Sequence, residues 1–556
     1  MRRFSWCCVP LVAVFLACGS DDPPTGPAVV KVVSYDYSFD LETRRAGAEL
    51  TLELIEAGDC VSLPVRAEGL EAVYFDGARM NSGELSDGVM TACGPGWDVG
   101  DQTLLRAEVL VPLETWGDSQ VGYSISTDIE GQPFYYLVSW VGGCDQFTPC
   151  DTAPDVFATY RFRVAHPEGV KVLCPGTVTP GTTPDATTTT CEFSHGGGPT
   201  YSTFGIVASP SWETTELGDW GGVNVTLYDM PSTGIATDFK ADQHRDFLAW
   251  MSDRFGPYPY GDELRFITGP TYWSGFEHPG NIVLYDRLNV VNSLYSDPLA
   301  HTTNHELVHM WAGDQTTLAT THDFVWKEAM AEYLTFVFDD ENVSTDVARS
   351  TAALWKRGAL AAEYYPVPAE QPALLDYYGD VYGAGPLLLF RQIEALFSRE
   401  EVMAALAQLL GREHAIGVSD VKRALEDATG ADLTGYFDAW IFGEGAPKPP
   451  SFRVDIAPTG NGTEVAVTVV QENPEAGLYG AAFAIELRTS DGSMRHDVWF
   501  DLGVDGAAEQ TVTTDPGFAF DTHVFDPHRH TLAIEQLDTA QRVAPVRLNP
   551  WVPSEW

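Results

Sequence analysis

His305-Glu306-Leu307-Val308-His309, followed nineteen residues later by Glu328 within Val325-Trp326-Lys327-Glu328-Ala329-Met330, is the stretch around which this chain is organised. A spacing of four puts both imidazoles on one face of a helix, where both reach a single zinc ion. Glu306 then points toward a water on that ion. A catalytic zinc takes three protein ligands and keeps one position open, and Glu328 is the candidate third ligand. Trp326, Ala329, Met330 and Tyr333 mark the helix of Glu328 as buried, where an unpaired carboxylate is costly. In this reading zinc lowers the pKa of its water toward about 7, and Glu306 takes the proton and passes it to a leaving amine. The competing reading is that both segments are ordinary helix faces, with Glu328 a surface carboxylate.

Outward from the motif, helical periodicity covers residues 238–255, 300–311, 325–337, 385–397 and 400–410. Upstream, residues 29–206 show short alternating runs such as Thr51-Leu52-Glu53-Leu54 and Tyr160-Arg161-Phe162-Arg163-Val164 between Gly, Pro and Asp. Within them residues 175–190, rich in Thr, Pro and Gly, read as a surface loop. After Gly445-Ala446-Pro447-Lys448-Pro449-Pro450 the alternation resumes, as in Glu464-Val465-Ala466-Val467-Thr468-Val469. These patterns predict a multidomain α+β protein: an N-terminal β domain over 27–206, a mainly α catalytic domain over 207–446 and a C-terminal β-sandwich over 447–556.

A chain of 556 residues carrying a net charge of −47 has none of the basic footprint needed to displace counterions from nucleic acid. Residues 1–26 read as an export segment and tether, with Arg2 and Arg3 before an apolar run too short to span a bilayer permanently. Leu16-Ala17-Cys18-Gly19 is similar to a bacterial lipoprotein box, which implies acylation at Cys18 and an envelope-anchored protein. Phe15 departs from the aliphatic residue usual there, and simple secretion is the alternative. Six further cysteines lie between Cys60 and Cys191, an even set that in an exported protein reads as disulfides. Proximity suggests Cys60 with Cys93, Cys144 with Cys150 and Cys174 with Cys191, out of 15 connectivities.

His305 through Asp314, followed by Trp326-Lys327-Glu328, resembles the gluzincin aminopeptidases of the M1 family. The family's Gly-x-Met-Glu-Asn segment has its counterpart in Ser274-Gly275-Phe276-Glu277-His278. The resemblance implies a thermolysin-like catalytic domain and one zinc per chain held by His305, His309 and Glu328. It implies peptide substrates with a free N-terminus, bound at Gly275 and by Glu277 through the terminal ammonium. Phe255 to Tyr260, and Asp432 through Trp440, also follow the family. Val381-Tyr382-Gly383-Ala384-Gly385 resembles the segment of the catalytic tyrosine, so Tyr382 is assigned the hydrogen bond to the oxyanion, with Tyr377 and Tyr378 as rivals.

Ser274, His278, Ala329 and Ala384 depart from the family pattern, and no N-domain glutamine or glutamate for the amine is found. The β pattern after Trp440 replaces the long helical C-terminal domain of many members, implying a less enclosed site. Glu332 reads either as an acceptor behind a ligand histidine or as a solvated carboxylate. His301 and His322 read as ordinary polar residues, and His528 and His530 as exposed residues of a β segment. Zinc aminopeptidase is therefore the reading. Its rivals are a related zinc hydrolase with relaxed or non-peptide specificity and an inactive surface binding protein of the same fold.

Overall fold

The computed structural model describes residues 27–536 apart from 81–83, 114–121, 182–186, 272, 292, 461 and 473–476. The export segment and Cys18 lie outside the described residues. The first long strands, Pro27–Asp40 and Arg45–Glu56, pair antiparallel and anchor an eleven-stranded sheet. Their period-2 patterning is plain: Ala46, Ala48, Leu50, Leu52 and Leu54 all turn inward. Tyr35, Tyr37, Tyr160 and Phe162 then surround Phe204 edge-on. The three disulfides are those suggested by proximity, Cys60–Cys93, Cys144–Cys150 and Cys174–Cys191.

One segment departs from expectation. Thr177–Pro180 pairs antiparallel with the strand Thr188–Pro199, so much of the supposed loop at 175–190 is sheet. Its threonines are β-branched and suit a pleated edge, and the Cys174–Cys191 bridge pins the start of the hairpin to the sheet. The strand Gly205–Ser209 spans the boundary expected at 206, pairing with Pro133–Val138 and Lys171–Leu173.

A five-stranded sheet begins the catalytic region, in the order Glu213–Asp219, Asn224–Asp229, Glu263–Gly269, Asn281–Tyr285, Gly275–His278. Its last strand is an edge, and helices follow: Pro298–His309, Val325–Phe338, Thr345–Ala359 and Leu374–Pro386. The helix Val325–Phe338 is buried at every position, so packing rather than propensity holds it. The helix expected from 385 begins eleven residues earlier, at Leu374. Pro386 lacks the N–H for an i−4 bond, and the chain relaxes into a wide turn over Leu387–Arg391 before Gln392–Leu396 resumes the helix. Gly383 lets this helix press against its neighbour, because a Cβ there would sit 2.6 Å from the Ala359 nitrogen.

The C-terminal part is a four-stranded and a three-stranded sheet around Phe452, Val467, Val469, Phe483, Ile485 and Phe500. A buried ion pair, Lys356 to Asp526 at 2.8 Å, and a hydrogen bond from Thr531 to Gln392 at 2.7 Å tie it to the helices. His528 and His530 follow the strand Thr522–Phe525 rather than alternating within one. His530 is buried, and His528 bonds Asp497 at 2.7 Å. No helix among the described residues is long and apolar enough to cross a membrane.

Candidate active site

The helix Pro298–His309 starts where its sequence says it should: Asp297 accepts a hydrogen bond from the Ala300 N–H at 2.9 Å, and Pro298 supplies a preset φ in the first turn. One turn apart on this helix, His305 and His309 bring their Nε2 atoms to 3.2 Å from each other. Glu328, from the first turn of Val325–Phe338, places Oε2 3.1 Å from His305 Nε2 and 3.6 Å from His309 Nε2. A tetrahedral zinc with bonds of about 2.0–2.1 Å keeps its ligand atoms about 3.3 Å apart, so these three donors fit the ion.

Two other donor groups overlap this one, His301 with His305 and Glu332, and Glu277 with Glu306 and His309. Each shares a histidine with the first set. Glu332 is already engaged, receiving His305 Nδ1 at 3.1 Å, His301 Nε2 at 3.0 Å and Trp355 Nε1 at 2.8 Å. That arrangement makes it an anchor rather than a ligand. With Nδ1–H given to Glu332, the Nε2 lone pair of His305 is left to face an ion. Nδ1 of His309 is similarly held, by the Ala312 carbonyl at 3.0 Å. His301, read from sequence as an ordinary polar residue, is buried and belongs to this anchor, whereas His322 sits partly exposed in the turn Thr321–Asp323. Replacing Glu332 by glutamine should weaken zinc binding by about 10- to 100-fold, since the amide holds the ring less firmly. Chelator competition measures this, and unchanged affinity would deny the carboxylate that role.

Glu306 lies between the metal set and the edge strand Gly275–His278. A Cβ on Gly275 would approach its Oε1 to 2.5 Å, so only glycine lets strand and carboxylate pass this closely. Burial pushes the Glu306 carboxyl above the usual carboxylate range, which the nearby His305 counters. Burial also opposes charge on His305, and hydrogen bonds to Glu328 and Glu332, made where no ion separates the donors, outweigh it.

Glu277 comes from the same edge strand, and Lys327 Nζ reaches its Oε1 at 2.6 Å, as a close ion pair rather than an aligned hydrogen bond. The same ammonium lies 2.8 Å from Glu328 Oε1 and 3.4 Å from His309 Nε2. Sequence reasoning passed over Lys327. The available signal was a lysine beside Glu328 in a helix that is otherwise mostly apolar, since lysine is almost never fully buried unless paired.

Tyr382, on Leu374–Pro386, stacks on the His305 ring at 5.9 Å and shares a 2.7 Å hydrogen bond with the Tyr378 hydroxyl. Burial, and then the charge of Glu328, hold its phenol well above the usual value, so it stays a donor. Tyr378 packs against Trp140 and Phe324, and Tyr377 against Tyr364. From the N-terminal β region Trp140 reaches this wall, and it also contacts Trp273. His278 turns away from the metal set: Nδ1 lies 2.7 Å from the Ser202 carbonyl and Nε2 3.4 Å from the Tyr136 hydroxyl. Ala329 is accommodated because its helix faces Gly385, where a Cβ would stand 3.1 Å away.

Residues 239–440 match the model of the peptidase family M1 domain. The chain is 23% identical over 481 residues to aminopeptidase N of Streptomyces lividans, covering 80% of this chain and 54% of the relative. It is 22% identical to the glutamyl aminopeptidase of Sus scrofa over 318 residues, covering 54% of this chain and 33% of the relative. The solved structure of Legionella pneumophila aminopeptidase A in complex with aspartic acid shares the fold, with a TM-score of 0.72 at 15% identity, over 92% of this chain and 60% of that one. The chain thus spans about half the length, or less, of these curated relatives.

Proposed function

We propose, from the peptidase family M1 domain that residues 239–440 carry, that this chain is a zinc-dependent aminopeptidase removing single residues from the free N-terminus of peptides. The observation that carries the reading is the convergence of three donors at zinc spacing, His305, His309 and Glu328, beside a carboxylate, Glu277, on a sheet edge. One zinc per chain, bound by those three, would polarise the scissile carbonyl and lower the pKa of its water toward about 7. Glu306 would take a proton from the attacking water and return it to the leaving amine. Tyr382 would donate a hydrogen bond to the oxygen on which negative charge develops. Glu277 would receive the substrate's terminal ammonium, and Gly275 gives the bound chain and Glu306 room to lie side by side. Export, with either acylation at Cys18 or simple secretion, is part of the same proposal, and three disulfides suit an oxidising compartment.

The test is to incubate zinc-loaded enzyme with matched free and N-acetylated peptides and to identify the products by mass. Stepwise loss of N-terminal residues, confined to the free peptides or strongly favouring them, is expected, because acetylation removes the charge that Glu277 pairs with. Glu277→Ala should weaken cleavage of the free set far more than of the blocked set. Equal cleavage of both sets at internal bonds would replace aminopeptidase by endopeptidase action and leave the zinc hydrolase intact.

A further inference from the structure

Glu277 meets a cation before any substrate arrives. The Lys327 ammonium stands 2.6 Å from its Oε1, and the lysine side chain is 2% exposed. The site is built around this lysine. Gly313 lies at φ 142°, and a Cβ there would come within 2.9 Å of Lys327 Cε, so a glycine makes room for the stem. Phe324 and Tyr201 present ring faces to the ammonium at 5.3 and 6.0 Å. It also lies 2.8 Å from Glu328 and 3.4 Å from His309, and the buried carboxyls of Asp314 and Glu306 feel its charge.

We infer that Lys327 is a specificity-determining residue: it is the resident counter-ion of Glu277, and the substrate's terminal ammonium has to share that carboxylate with it. Two ammonium groups on one carboxylate repel each other, and in a buried site that repulsion is poorly screened. Lys327 therefore lowers the advantage of a free over a blocked N-terminus below what Glu277 alone would provide, and makes the site more tolerant of neutral N-termini. The inference rests on the proposed role of Glu277.

The experiment compares kcat and KM on free and N-acetylated peptides of one sequence for wild type, Lys327→Gln, Glu277→Ala and the double variant, with zinc content measured in each. Removing the lysine charge should lower KM for the free peptide, raising its preference over the blocked one by about tenfold. In the Glu277→Ala background the free-peptide preference should be weak to begin with, and removing the lysine should raise it by less than in wild type, because the terminal ammonium is no longer drawn to the carboxylate beside Lys327. Lys327→Arg should return the preference toward wild type. Lys327→Met, which keeps an apolar stem, carries the same expectation should Lys327→Gln fail to fold. Loss of zinc through a loosened Glu328 would lower kcat on both peptides alike, so it cannot imitate the KM effect. A preference that is unchanged or reduced on removing the lysine overturns the inference while the aminopeptidase reading stands. If Glu277→Ala alone leaves the preference unchanged, the amine site itself is misassigned and both fall.

Discussion

Replacing His309 by alanine should abolish zinc binding and activity together. Two of the three donors would remain, His305 and Glu328, and two ligands do not hold the ion against water. The contrast with His301→Ala makes the result decisive. His301 belongs to the overlapping group with His305 and Glu332, and if the ion sat there His309 would be dispensable. With Glu332 already receiving His301, His305 and Trp355, the expectation is that His301→Ala keeps its zinc and loses only affinity. Metal content of the purified variants, by elemental analysis, reads the outcome. Full occupancy in His309→Ala, or an empty site in His301→Ala alone, would relocate the ion.

Glu306→Gln separates chemistry from metal binding. The amide has nearly the shape of the carboxylate, so it should fit against Gly275, where Oε1 lies 2.5 Å from the position of a Cβ. It cannot accept a proton. Turnover should fall by about 10²- to 10⁴-fold, the usual contribution of a positioned general base, with zinc content near that of wild type. A loss of zinc would mean that Glu306 helps hold the ion, and near-normal turnover would give the proton to another group. Glu277 is the neighbouring carboxylate, but Lys327 already occupies it at 2.6 Å.

The pairing of His305 with His309 was legible in the sequence because it is local, whereas Glu328 stood only as a candidate until the packing of a second helix brought it beside them. Residues four apart on a helix share a face whatever surrounds them, so His305 and His309 could be paired, and Glu306 aimed, before any fold was known. Alternation likewise marked the inward faces of Arg45–Glu56, and proximity along the sequence suggested the three bridges. Glu277 and Tyr382 were reached through resemblance to a family, not through any spacing in this chain.

What only the tertiary structure decided are the meetings between separate elements. The edge strand delivers Glu277 to the Lys327 ammonium, the helix Thr345–Ala359 supplies Trp355 to the carboxylate that orients His305, and the N-terminal β region lends Trp140 to the wall beside Tyr378. His301 looked ordinary because nothing within its own helix shows that Glu332, thirty-one residues on, lies 3.0 Å from its ring. The hairpin at Thr177–Pro180 was hidden because a short edge strand reading Thr-Val-Thr-Pro, set in a Thr-, Pro- and Gly-rich stretch, has the look of a loop until a partner strand lies beside it. Periodicity fixes which face a side chain takes on its own helix or strand. Which charge it meets across the core is set by how helices and strands pack, and packing depends on the shape of the whole chain.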